Sequence, residues 1–158
     1  MRSAPAVLAR KFAMDFDPSD PPDVILASDM LDIAAWVGFV ARDHRTRSWV
    51  GGVPTVMYFH ENQWAYPTAP QAVPDHHYGF TNLLSSDFTD ACLFNSEYNR
   101  TTFLDQSRTF LARMPDDRDV VDLDQILLAS RVIAPGFVPP PVADELIATD
   151  GPHRIGQT

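Results

Sequence analysis

The chain has 158 residues and a formal net charge of -9, which suits one domain and disfavours a protein that grips nucleic-acid phosphates by itself. Its 45% hydrophobic share is ordinary for a globular protein, and no apolar run approaches the ~20 residues of a membrane helix. The apolar stretch near the amino end is too short for a signal peptide, so we expect a cytoplasmic protein.

Apolar spacing in the first half predicts two helices, two strands and two connections. They are a helix over 6–13, a turn-filled connection over 15–22, a strand over 23–27, a helix over 30–41, a basic loop over 43–52 and a strand over 55–59. Ser28 and Asp29 are expected to cap the second helix. The basic loop is interpreted as solvated rather than as an anion site.

The second half continues the alternation. It predicts a helix over 75–86, a strand over 90–94, a helix from Ser96, a short helical piece over 109–114, a helix over 123–129 and a strand over 131–134. Tyr78, Asn82 and Ser85 share one side of their helix, so a polar stripe is expected to face a cleft. Cys92, the single cysteine, is expected to be a buried small hydrophobe. Strands separated by helices predict an α/β fold with a parallel sheet.

The strand over 55–59 is the centre of the predicted sheet. Its apolar run shows no alternation, which predicts a strand covered on both faces. It is followed at once by His60, Glu61, Asn62 and Gln63, where open α/β sheets bind their ligands. Taken alone, these four residues are equally compatible with an ordinary polar turn.

Two further strands also end in polar pairs. Ser28-Asp29 follows one strand and Asn95-Ser96 follows another. Because the carboxyl ends of parallel strands lie at one edge of a sheet, these residues are expected to meet near His60. Ser96 also opens a helix, whose free backbone N–H groups suit a phosphate or a sugar hydroxyl.

Several blocks, in this order, carry a resemblance to a known family. They are Tyr58-Phe-His-Glu-Asn-Gln63, Tyr66-Pro67, His77-Tyr-Gly-Phe-Thr-Asn82, Phe94-Asn-Ser96 and Phe103-Leu104. From about residue 6 to residue 136 the chain resembles the amino-terminal domain of the tRNA-queuosine alpha-mannosyltransferases, which are retaining GT-B glycosyltransferases. The resemblance implies a Rossmann-like domain on the acceptor side of a two-domain enzyme, with GDP-mannose as donor substrate, queuosine in tRNA as acceptor, and no cofactor or metal.

The resemblance also implies roles for individual residues. His60 matches the histidine that contacts the donor sugar near the reacting carbon, and Glu61 is expected to anchor the loop or polarise an acceptor hydroxyl. Expected to bind substrate are Asp29, Asn62, Gln63, Tyr66, Tyr78, Asn95 and Ser96. Residues 1–138 are expected to form the domain, without its first strand and glycine-containing loop, and residues 139–158 a linker toward a missing second domain. On this reading the chain alone is inactive.

Two alternatives remain open. The chain could be a non-catalytic Rossmann-like binding or pairing module, whose unfinished sheet edge would favour association. A metal-dependent hydrolase would use His60, Glu61, His76 and His77, but those residues lack the spacing that would bring several ligands to one ion. Neither a Walker-type nor a G-x-G-x-x-G phosphate loop occurs in the sequence.

Overall fold

A computed structural model describes residues 3–65, 76–116 and 120–136. In chain order the elements are α1 (Ala4–Asp15), β1 (Ile25–Ser28), α2 (Ile33–Val40), α3 (Arg47–Val50), β2 (Thr55–Phe59), α4 (His77–Phe88), β3 (Ala91–Phe94), α5 (Glu97–Leu111), α6 (Leu123–Leu128) and β4 (Ser130–Val132). Of the residues assigned from the sequence, Tyr66 and the tail over 139–158 lie outside the described ranges. No helix within those ranges combines the length and hydropathy that crossing a bilayer requires.

The four strands form one parallel sheet in the order β1-β2-β3-β4, which confirms the predicted α/β fold with a Rossmann-like arrangement. Side chains help to fix the register: the Asp90 carboxylate accepts a hydrogen bond of 2.7 Å from the backbone N–H of Thr55. Because the spatial order equals the chain order, the described sheet contains no point where the winding direction reverses. Its site is therefore built between neighbouring strand ends, not at a topological switch point.

The sheet is packed on one face only, as far as the described residues go. Along β2, buried Thr55, Met57 and Phe59 alternate with half-buried Val56 and Tyr58. In β1, Leu26 points to the same side as Val56 and is 67% exposed. For the described part of the chain, the expectation that the central strand is covered on both faces was wrong, because an unbroken apolar run does not reveal which of its faces has a partner.

Two clusters of apolar side chains lie on the covered face. The first joins Met57, Phe59, Cys92 and Phe94 of the sheet to Leu83, Phe103, Leu104, Leu111, Val121 and Ile126. The second joins Ile25 and Ala27 to Ala9, Ile33, Trp36, Val40 and Val50. All six described helices contribute to one or the other, so the helices and the covered sheet face form two packed layers.

The boundaries of two helices differ from the sequence prediction. Helix α2 begins at Ile33, and its N-cap is Asp32, whose carboxylate accepts from the Ala35 N–H at 2.9 Å. Ser28 and Asp29 therefore do not cap it. The helical piece predicted over 109–114 is instead the last turn of α5, since the helix continues without a break to Leu111.

The basic segment over 43–52 has a structural role that the sequence did not indicate. It contains α3, and the guanidinium of Arg45 donates to the carbonyl of Phe16 at 2.9 Å. Thr46 is fully buried and donates to the carbonyl of Val40 at 2.7 Å. These contacts tie the segment to the ends of α1 and α2.

Candidate functional site at the carboxyl edge of the sheet

The carboxyl ends of β1, β2 and β3 come together at one edge of the sheet. Backbone hydrogen bonds continue past the strand ends, from Asp29 N–H to the Tyr58 carbonyl at 3.1 Å and from Asn95 N–H to the Phe59 carbonyl at 3.0 Å. The side-chain amide of Asn95 donates to the carbonyl of His60 at 2.8 Å. Asp29, His60 and Asn95, which are distant in sequence, are thus neighbours at this edge.

A buried carboxylate holds the imidazole of His60. The Asp29 side chain is 0% exposed and pairs through Oδ1 with Nδ1 of His60, whose side chain is 45% exposed. Asp29 Oδ2 accepts from the Glu61 N–H at 3.1 Å. Burial raises the pKa of Asp29, and the adjacent imidazole and the Glu61 N–H oppose that rise. With Nδ1 engaged, Nε2 of His60 is left for a ligand.

The loop after β2 is ordered by its own side chains. Gln63 donates from Nε2 to the Glu61 carboxylate at 3.3 Å, and Asn62 Oδ1 accepts from the Trp64 N–H at 3.0 Å. Gln63 lines neither of the two cavities described below. Its contact supports Glu61, while the predicted contact with substrate stays a prediction.

Trp64 anchors the far end of this loop. Its indole N–H donates to Ser107 Oγ of α5 at 3.0 Å, and its ring lies directly over Gly79 of α4. A Cβ atom built on Gly79 would come within 2.5 Å of Trp64 Cδ2. Glycine at position 79 is therefore required for the indole to lie against α4.

A network of polar side chains surrounds the start of α5. Ser96 caps the helix as predicted, since its Oγ accepts from the Asn99 N–H at 3.2 Å. Asn99 donates from Nδ2 to Asn95 Oδ1 at 3.0 Å and to the Phe59 carbonyl at 3.3 Å. Sequence reasoning missed Asn99; an asparagine inside a helix, where it is a poor helix former, was the available signal.

An open cavity of about 290 Å³, here called the His60 cavity, lies among these residues. It is lined by His60, Glu61, Asn62, Ala65, Asn95, Ser96, Tyr98 and Asn99. Within the described part of the chain, Asn62 Nδ2 and Asn99 Oδ1 are buried and have no hydrogen-bond partner. One is a donor and the other an acceptor, and a hydroxyl group can satisfy either. The cavity therefore suits a hydroxyl-bearing ligand.

Tyr78 does not line the His60 cavity. It lines a second cavity of about 440 Å³ together with Asp29 and Asn82, here called the Asn82 cavity. Ser85, predicted to share the polar stripe of Tyr78 and Asn82, is fully buried and lines neither cavity. Apart from Gln63, which lines neither cavity, the predicted site residues that the structure describes are thus divided between the two cavities.

The described residues contain no grouping of three histidine, cysteine, aspartate or glutamate side chains that could hold a metal ion. His60 pairs with Asp29, whereas His76 packs its ring against Trp64 and Phe110. The residues invoked for a metal-dependent hydrolase therefore have other partners.

A parallel sheet with a polar, ligand-sized cavity at its carboxyl edge defines a Rossmann-like α/β domain of the kind that binds small molecules. A sequence profile described as "tRNA-queuosine alpha-mannosyltransferase N-terminal" matches residues 1–137. The chain is 36% identical over 112 residues to the tRNA-queuosine alpha-mannosyltransferase of Drosophila melanogaster. No solved structure matches the chain significantly. The chain belongs to the family of the tRNA-queuosine alpha-mannosyltransferase amino-terminal domain.

The match covers only part of the Drosophila relative. The aligned residues cover 68% of this chain and 28% of the Drosophila relative. The chain therefore corresponds to little more than a quarter of that protein's length.

Proposed function

We propose that the chain forms the amino-terminal, acceptor-side part of a GT-B glycosyltransferase, acting in the cytoplasm to move mannose from GDP-mannose to queuosine in tRNA. Its family and the name of the Drosophila relative support the reaction class. The observation that carries the proposal is the position of His60, half exposed at the cavity and held from behind by a fully buried carboxylate.

In this proposal the His60 cavity receives the donor sugar. Nε2 of His60 hydrogen-bonds a sugar hydroxyl near the reacting carbon, while the unpaired atoms Asn62 Nδ2 and Asn99 Oδ1 bind further hydroxyls. Glu61, held by Gln63, polarises the acceptor hydroxyl or anchors the loop. Because these side chains are held in place before the ligand binds, less free energy is lost in orienting the reacting groups.

The described lining of the cavity offers no lysine or arginine to stabilise the departing diphosphate, although electrostatic stabilisation of a leaving group is usually a large catalytic contribution. We therefore assign that task to a part of the enzyme beyond this chain. The same holds for most phosphate contacts of tRNA, since a net charge of -9 opposes them.

A chimera tests the proposal. Residues 1–137 of this chain would replace the matching segment of the Drosophila relative, and transfer of radiolabelled mannose from GDP-mannose to queuosine-containing tRNA would be measured. We expect transfer by the chimera, with kcat reduced about 10²–10³-fold by His60→Ala, which is the size of loss seen when one preorganised hydrogen-bonding group of an active site is removed.

The matched control is His44→Ala. His44 has an 83% exposed side chain and lines neither cavity, so its loss should leave transfer unchanged. An inactive but folded chimera would contradict the proposal, as would a His60→Ala chimera with the rate of its parent.

A non-catalytic pairing module is the second candidate, and one observation favours it. The uncovered face of the sheet exposes Leu26 at one end and Ile133 at the other, 67% and 50% respectively. Such a face suits a partner that presents its own apolar surface. Size-exclusion chromatography with light scattering decides: a dimer supports pairing, whereas a monomer at millimolar concentration argues against it.

A further inference from the structure

The Asn82 cavity has the features of a second ligand site. It lies beside the amino ends of α2 and α4, and its volume of about 440 Å³ falls in the range typical of small-molecule sites. Asp29 lines it while pairing with His60, which lines the other cavity. A ligand here would be separated from the His60 cavity by a single pair of side chains.

The amide of Asn82 lacks a partner. The residue is 3% exposed, and no acceptor for its Nδ2 group exists among the described residues. Buried polar groups are nearly always hydrogen-bonded, so an unpaired donor in a residue that lines a cavity points to an acceptor that a ligand brings. Ser85 Oγ, on the same helix, is also unpaired but lies away from the cavity.

The charge of the cavity limits what can bind. Asp29 and Asp32 are among its described lining residues, and neither a lysine nor an arginine is. Asp32 uses Oδ1 to cap α2, which leaves Oδ2 for a donor on a ligand. The two carboxylates therefore favour an uncharged or cationic ligand that has N–H donors.

Part of the cavity lining is apolar. Met30 and Phe39 line the cavity and are 40% and 44% exposed, although both are large hydrophobic residues. Flat ligands cover such surfaces well because they remove apolar area from water and can stack on the phenyl ring. A sugar or a phosphate would leave these apolar side chains exposed to water.

We propose that the Asn82 cavity binds the heteroaromatic base of a nucleoside, uncharged or cationic, with a ring carbonyl accepting from Asn82 and a ring N–H donating to Asp32. The base stacks on Phe39. This proposal deepens the proposed function, because it places the acceptor nucleoside in the cavity next to His60. The binding itself does not depend on any transfer reaction.

The test is a titration of the ¹⁵N-labelled full chain with guanosine and with 7-methylguanosine, followed through side-chain amide resonances. We expect the Asn82 amide to shift and saturate at millimolar nucleoside, with the amides of Asn95 and Asn99 unmoved. Inorganic phosphate should not shift Asn82. Shifts confined to Asn95 and Asn99, or no shift of Asn82 with either nucleoside, would overturn the proposal.

Variants separate binding from folding. Asn82→Leu should weaken nucleoside binding at least tenfold, whereas Ser85→Ala, which removes the other unpaired polar group of α4, should stay within twofold. Phe39→Ala alters a partly exposed wall and is expected to weaken binding severalfold even if Asn82→Leu does not fold. Unchanged affinity in a folded Asn82→Leu, or in Phe39→Ala, contradicts the proposal.

The two proposals fail separately. Nucleoside titration uses neither donor nor transfer, so its failure removes the base site and leaves the reaction class intact. An inactive chimera, with nucleoside binding preserved, removes the transferase reaction instead.

Discussion

The carboxylate of Asp29, on the turn after β1, holds the imidazole of His60, on the turn after β2. One partner is fully buried and the other is nearly half exposed. The Glu61 N–H occupies the second carboxylate oxygen, so the pair is fixed from both sides. Asp29 thereby acts as a positioning residue for His60; contact with substrate, the role expected from the sequence, stays a prediction.

This arrangement predicts the tautomer of His60. Because Nδ1 faces Asp29, the neutral ring should carry its proton on Nδ1 and offer Nε2 as an acceptor. Long-range ¹H–¹⁵N spectra of the native chain should show this form in excess. Asp29→Ala should shift the population toward the Nε2-protonated tautomer; the same spectrum in both proteins would contradict the pairing.

The pH dependence of stability should reveal the burial of Asp29. Its pKa in the folded chain lies above the ordinary value of 3.8 because burial disfavours the charged form. The native state then binds the proton more tightly than the unfolded state, so stability from this group is complete below pH 3.8 and falls as pH rises through the folded pKa.

Urea unfolding of the native chain and of Asp29→Asn, at several pH values from about 3.5 to 7, measures this effect. The free energy of unfolding of the native chain, relative to the variant, should decrease with rising pH. An increase instead would mean that the ion pair with His60 outweighs burial.

Gly79 should resist replacement by alanine. The new methyl group would meet the Trp64 ring at 2.5 Å, and overpacking of this kind costs about 1–3 kcal/mol, more than the helix gains from alanine. We expect a lower free energy of unfolding and altered tryptophan fluorescence.

Gly38→Ala in α2 is the control for that substitution. A Cβ at position 38 has no neighbour within 4 Å, so the same change should stabilise the chain by about 0.5–1 kcal/mol. Equal effects at positions 38 and 79 would mean that the indole does not lie over α4.

Cys92 should be unreactive in the native chain. It is 1% exposed, and burial raises the pKa of its thiol, which lowers the fraction of reactive thiolate. Ellman's reagent at pH 8 should label the native chain slowly and the urea-unfolded chain at once. Rapid labelling under native conditions would contradict the packing of β3.

Truncating a side chain should lower the free energy of unfolding by different amounts on the two faces of the sheet. Met57 is fully buried in the first cluster, so Met57→Ala should cost about 2–5 kcal/mol. Leu26 is mostly exposed on the uncovered face, and Leu26→Ala should stay within about 0.5 kcal/mol. A large loss at Leu26, measured by urea unfolding, would show that this face is covered in solution.

Sequence reasoning succeeded where local pattern decides the outcome. Apolar runs bounded by caps and turns located the four strands that the structure describes, and their alternation with helices predicted the parallel sheet. The polar residues after β1, β2 and β3 reach a common edge because parallel strands share their direction. Ser96 was identified as a cap because its side chain acts on a backbone N–H only three residues away.

The remaining features depend on contacts between distant segments. Asp29 was assigned to a helix cap because capping residues look alike in sequence, yet its carboxylate is used by residues 31 and 32 positions further on. The role of Gly79 depends on Trp64, and that of Asn99 on Asn95 and Phe59. Contacts between residues so far apart in the chain leave no periodic pattern in the sequence.

The indole of Trp64 also limits how the loop beside the His60 cavity can respond to a ligand. The segment bearing His60 starts at the end of a hydrogen-bonded strand and is tethered four residues later to two helices. A segment anchored at both ends over so few residues cannot open by a hinge motion of its backbone. We expect entry and release to proceed by rotation of single side chains, with the backbone of the segment remaining in place.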